Sequence, residues 1–295
     1  MDKLISRIDL NQITNSRVSR GVVFFSSLGL FVALDIQANR IMLDVDSIYP
    51  FSIILLAPAL LALKLGPQAI SVIRRCCVSV GIFVCALNIV AILSDMSEVS
   101  DFLSAQRLVY APLALGIVLS LLLKLIEPTT QIAFRLSKFE FCTFFLVWLI
   151  CGAASAKLLF GTNVSISSIW STQTAIICIT VWVICLTYPE YSSLNFLERT
   201  KKASLGIILV SAISGVSLWT YVVASRDVAT VGPLLAVPVI GFLNGSSLSI
   251  IATSASASRT RKNDEDKLFD WHVIESYAFY ILIVAPPLSM IEAFV

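Results

Sequence analysis

Val231-Gly-Pro-Leu-Leu-Ala-Val-Pro-Val-Ile-Gly-Phe-Leu-Asn-Gly-Ser-Ser-Leu-Ser-Ile-Ile251 is long and apolar enough to cross a bilayer, yet Pro233, Pro238, Gly241 and Gly245 interrupt it. Proline removes a backbone donor and frees a carbonyl, and in hydrocarbon such groups must find partners on neighbouring helices or around a wet cavity. The stretch reads equally as a kinked, Ser-rich packing helix or as a helix interrupted near Gly241 or Gly245. Exposed carbonyls, Asn244 and Ser246 would line a substrate pathway there, with Pro233 and Pro238 shaping it.

The rest of the chain has the same solvent requirement. Of its 295 residues, 57% are hydrophobic and 14% charged, against about a quarter charged in ordinary soluble domains. The mean hydropathy is +0.89. A hydrocarbon core about 30 Å thick demands helices of roughly 20 apolar residues. Nine segments meet that demand, at 21–39, 48–65, 76–94, 107–126, 140–160, 166–188, 204–225, 229–253 and 273–294. The expected fold is an all-α polytopic membrane protein. Residues 1–20 would form a cytoplasmic tail or interfacial helix, and residues 21–295 one transmembrane domain. Pro286 and Pro287 leave the last segment open to a re-entrant hairpin. No removable signal peptide is expected, because the first twenty residues are polar and no short apolar core with a small-residue cleavage site follows them.

Charge supplies the orientation. Seventeen of the 21 basic residues fall on one side when the loops are taken alternately. They cluster before the first segment, around Arg74 and Arg75, between Lys124 and Lys138, at Arg199, Lys201 and Lys202, and from Arg259 to Lys267. The other side keeps Arg40, Arg107, Lys157 and Arg226. The positive-inside rule then places the N-terminus in the cytoplasm and, with nine spans, the C-terminus outside. A bacterial inner membrane is the expected location. No basic run with interleaved aromatics points to nucleic acid.

Candidate chemistry is sparse. His272, the single histidine, stands one helical turn before Glu275, and the two are a possible proton or ion pair. Asp35 lies near the outer end of the first segment, close enough to Arg40 to pair with it or reach water, since a mid-membrane carboxylate costs about 2.5–3.5 kcal/mol. Asp44 and Asp46, just beyond, form an alternative acidic site. Membrane glycosyltransferases that use polyprenyl-linked sugars place acids at such a position, which would make the chain a lipid-linked sugar transferase. No nucleophile motif, metal-ligand spacing or phosphate loop is present, so no catalytic residue, metal or cofactor is assigned. The seven cysteines lack C-x-x-C spacing and nearby histidines, and read as small core residues. The loop at 259–267, a block of cations followed by anions, is a candidate docking site for a cytoplasmic protein.

Two short stretches carry resemblances. Tyr49-Pro-Phe-Ser-Ile-Ile-Leu-Leu-Ala-Pro, with the basic loop that follows, resembles the membrane modules preceding some bacterial sensor kinases and diguanylate cyclases, across about residues 20–126. The residues after it hold no kinase or cyclase pattern, so the resemblance implies a helical module without a signalling activity. The spacing of Pro233, Pro238, Gly241 and Gly245 resembles one helix of a small family of bacterial metal-export permeases that work with an ATPase. Together these features favour a permease or transporter-type component for a small or lipid-like molecule. The sugar transferase and a non-catalytic subunit in signalling, immunity or complex assembly stand beside it.

Overall fold

The computed structural model describes residues 17–37, 45–63, 69–95, 106–127, 137–160, 172–192, 194–225 and 231–256. Eight α-helices account for nearly all of them, and no strand occurs among the described residues. They are α1 (Arg17–Gln37), α2 (Val45–Leu63), α3 (Ala69–Asp95), α4 (Gln106–Ile126), α5 (Lys138–Phe160), α6 (Thr172–Thr187), α7 (Phe196–Ser225) and α8 (Val231–Ser256). The expected segment 273–294 lies outside the described residues, as do His272, Glu275, Asp44 and the 259–267 loop.

Helix positions follow the apolar runs, but several helices run on past them. α1 starts at Arg17, inside the expected tail, α3 at Ala69 instead of 76, and α7 at Phe196 instead of 204. Hydropathy finds only the apolar part of a helix, while backbone hydrogen bonding continues through flanking cations such as Arg74, Arg75, Lys201 and Lys202. Where a helix begins with a polar cap, its start is sharp. Ser137 and Glu140 form a capping box at α5: the Glu140 carboxylate accepts from Ser137 N at 2.9 Å, and Ser137 Oγ accepts from Glu140 N at 3.2 Å. Asn195 N likewise donates to Glu198 at 3.1 Å at the head of α7.

Among the described residues, three helices are long and apolar enough to cross a membrane: Ala69–Ile92 of α3, Phe139–Leu159 of α5 and Ala236–Ala255 of α8. They differ in what covers them. The α3 window is 83% buried within the protein, α8 67% and α5 only 22%. A helix apolar all round is stable only where protein or lipid surrounds it, so α3 is the axis of the bundle and α5 its flank. Helices α2, α4 and α8 pack around α3, α7 and α6 extend the row beyond α8, α5 covers α2, and α1 leans on α4.

The closest approaches use glycine. A Cβ on Gly81 would stand 2.7 Å from the Pro112 carbonyl, and one on Gly116 2.6 Å from the Cys77 carbonyl. The pairs 81 with 112 and 77 with 116 show that α3 and α4 run antiparallel. An ion pair joins the ends of the same two helices: Arg74 Nε lies 2.9 Å from Glu127 Oε2. These side chains are only 11% and 18% exposed. Elsewhere Ser155 Oγ donates to the Pro50 carbonyl at 3.3 Å, tying the end of α5 to the start of α2. One guanidinium closes the α6–α7 turn: Arg199 donates to the carbonyls of Leu186, Ser192 and Leu194 at 2.8, 2.7 and 3.0 Å.

The cysteines divide. Cys76, Cys77, Cys85, Cys151 and Cys178 are buried free thiols, as expected of small core residues. Cys142 is exposed on α5 and Cys185 half-buried on α6, so those two do not fill the core.

Candidate functional site

Helix α8 is continuous from Val231 to Ser256, with Pro238 inside it. Of the two readings of this stretch, the uninterrupted packing helix is the one found. Both glycines instead receive α7. A Cβ on Gly241 would collide with Ser211, and one on Gly245 would come 2.7 Å from Ile208 and 3.2 Å from the Ser204 carbonyl. Gly241 paired with Ser211, and Gly245 with Ser204, make α7 and α8 antiparallel. Small residues here let two backbones approach closely, the usual reason for them between membrane helices. The freed carbonyls expected of an unwound segment are therefore absent at these glycines.

What α8 does carry is a set of buried polar side chains on more than one flank. Toward α3, Ser249 Oγ lies 2.8 Å from Ser79 Oγ, and Ser254 Oγ lies 3.4 Å from Cys76 Sγ. Those pairs, 79 with 249 and 76 with 254, also set α3 and α8 antiparallel. Toward α6, Thr174 Oγ1 donates to the Val237 carbonyl beside Pro238 at 3.3 Å. Asn244 is half-buried and hydrogen-bonds Cys178. Ser246 is fully buried but bonds its own helix, donating to Phe242 O at 2.7 Å and Leu243 O at 3.1 Å. It is a satisfied packing residue in this arrangement. Pro233 lies in the first turn of α8. Thr253 is buried near the C-terminal end of α8.

Of the other expected site residues, Asp35 is in the last turn of α1 and Asp46 in the first turn of α2. Among the described residues no group of three or more His, Cys, Asp or Glu side chains is arranged to hold a metal ion. Asn244, Gly241, Gly245 and Ser246 do stand together on α8, on one two-turn stretch between α6 and α7.

The sequence reading overlooked the α3 half of the site. Ser79 and Cys76 sit one turn apart, and with Cys77 and Gly81 they make a run of small residues inside an apolar segment. That spacing, on a helix carrying Asn88 at 2% exposure, is the signal that marks α3 as a helix buried on all sides. Thr174 and Ser204, from α6 and α7, carry no comparable signal.

No protein-family model matches the chain, nor does any curated protein or solved structure.

Proposed function

We propose that the chain is a nine-span protein of a bacterial inner membrane, N-terminus cytoplasmic, which moves a small or lipid-like molecule along α8. It acts as a permease or as the membrane component of one, with no chemistry of its own. The observation that carries this reading is the placement of polar groups. Hydroxyls and the Asn244 amide of one long apolar helix meet a hydroxyl and a thiol of α3 on one flank and a thiol of α6 on another, where Thr174 also donates to its Val237 carbonyl. Polar side chains inside a membrane are costly and mark pathways more often than they mark lipid-facing surface.

Three further facts support the membrane part. Large apolar side chains stand exposed on outer helices, among them Phe25, Leu146, Ile150, Ile176, Ile179 and Ile213. In water such a surface would aggregate, whereas in lipid it is the normal exterior. The antiparallel contacts of α3 with α4 and α8, and of α7 with α8, fit loops that alternate sides. Arg74 and Lys201, on the side richer in cations, belong to helix ends that this pairing puts together.

The test is thiol labelling in a background whose seven cysteines are replaced by serine or alanine. Asn244→Cys is expected to react with a membrane-impermeant thiosulfonate, and Ile250→Cys, buried against neighbours, to stay unlabelled. Labelling of Glu98→Cys from outside and of Lys262→Cys only after lysis is expected from the topology. An inert Asn244→Cys would sink the pathway. If Asp44→Asn and Asp46→Asn also abolish a sugar-transfer activity, the transferase takes its place.

A further inference from the structure

We infer that the crossing of α2 and α5 binds the hydroxyl of a neutral lipid, which accepts a hydrogen bond from Trp148 Nε1 and gives its own proton to the Ile54 carbonyl. The site is separate from the pathway along α8 and does not rest on it.

The deciding group is the indole of Trp148. The side chain is 8% exposed, and among the described residues its buried ring N–H has no acceptor. A buried donor without a partner bears the full cost of its desolvation, so nearly all such donors are paired. Tryptophan in a membrane helix normally lies at the water interface, where its N–H meets headgroups. Trp148 instead stands in the middle of the span Phe139–Leu159, nine residues from one end and eleven from the other. At 1.5 Å per residue those ends are about 14 and 17 Å away, and a headgroup is out of reach. The rings beside the indole are poor substitutes. Phe83 lies edge-on at 6.0 Å and Phe145 stacked at 6.2 Å, and an aromatic face is a weak acceptor.

Helix α2 brings a carbonyl to the same level. Ser155 Oγ donates to the Pro50 carbonyl, which sets the register. With successive helices alternating in direction, α2 and α5 run opposite ways. Trp148 is seven residues before Ser155, and seven residues after Pro50 comes Ala57, which is buried. The next residue, Pro58, lies inside α2 and has no N–H to give to the carbonyl of Ile54, four residues earlier. Ile54 is itself fully buried. A donor without an acceptor and a carbonyl that its own helix leaves open thus stand at one depth. A hydroxyl serves both, because it accepts and donates, whereas an ester or a ketone only accepts.

The surroundings set the rest of the ligand. The charged residues of α5, Lys138, Glu140 and Lys157, are in its first and last turns, and a charge at mid-bilayer is costly, so the guest is neutral. Phe145, whose ring stacks on the indole, is 39% exposed on the flank of the bundle. The bilayer therefore begins one ring away from Trp148, and the guest enters from lipid.

The test uses the full-length protein in phosphatidylcholine nanodiscs with dioleoylglycerol, which carries a free hydroxyl, or trioleoylglycerol, which carries none. Dioleoylglycerol at about ten times its Kd is expected to raise the melting midpoint by about 4 °C, and trioleoylglycerol to leave it unchanged. Trp148→Phe removes the donor and should abolish the shift. Pro58→Ala returns an N–H to the Ile54 carbonyl and should weaken binding about fivefold. A reading that leaves the site intact comes from ultraviolet resonance Raman of the protein with its other four tryptophans replaced by phenylalanine, since an indole ring mode reports hydrogen bonding at Nε1. The N–H should read as unbonded in phosphatidylcholine alone and as bonded with dioleoylglycerol. Equal shifts with the two glycerides, a shift that survives Trp148→Phe, or an indole already bonded in phosphatidylcholine alone overturns the inference.

Discussion

Replacing Gly116 by valine drives α4 into α3. The first added carbon would stand 2.6 Å from the Cys77 carbonyl oxygen and 3.4 Å from Gly81 Cα, where ordinary contact begins at about 3.4 Å. One helix must therefore retreat by about 0.8 Å at the crossing, since a helical carbonyl cannot turn aside. α3 has nowhere to go, because its other flank is held by α8 through the 2.8 Å contact of Ser79 with Ser249. Overpacking of this kind costs about 1–3 kcal/mol, which for a chain of this size lowers the melting midpoint by roughly 3–10 °C. A thermal ramp in detergent with a thiol-reactive dye reads the event directly, since Cys76, Cys77 and Cys85 become accessible when α3 opens. Gly152→Val is the control, as nothing lies within 4 Å of its Cβ position and its intrinsic helix cost is the same. Equal midpoints for the two variants would refute the close crossing.

Two other outcomes follow from the helix contacts. Arg74→Gln removes the guanidinium from beside Glu127, itself 18% exposed, and should destabilise by about 3 kcal/mol, with the double Arg74→Gln, Glu127→Gln variant recovering most of that loss; additive losses in chemical unfolding would argue against the pair. Ser79→Ala and Ser249→Ala should show a coupling of about 0.6 kcal/mol in a double-mutant cycle, against none for Ser79→Ala with Ser155→Ala.

The existence of the helices was legible because each is an apolar run, and their polar first turns were not, because hydropathy is blind to hydrogen bonding beyond the apolar stretch. That α8 could be read in two ways has a definite physical source. Glycine and proline in a long apolar segment serve either an unwound helix or a tightly crossed one, and only the neighbour decides. Here Ser204, Ile208 and Ser211 occupy the space that the glycines leave. Asn244 was recognisable as the one amide in its stretch, but its partner Cys178 was not, since nothing in either segment encodes the other. The same holds for Ser79 and Ser249, which are 170 residues apart.

Those separations also set an order of assembly. The clasp made by Arg199 reaches back no further than Leu186, 13 residues earlier, so α6 and α7 can close as a hairpin as soon as both have left the ribosome. α3 is made much sooner and yet waits. Its flank bearing Cys76 and Ser79 meets its native neighbour only when α8 is synthesised, and throughout that interval the central helix of the bundle depends on lipid, or on a chaperone in the membrane, for cover.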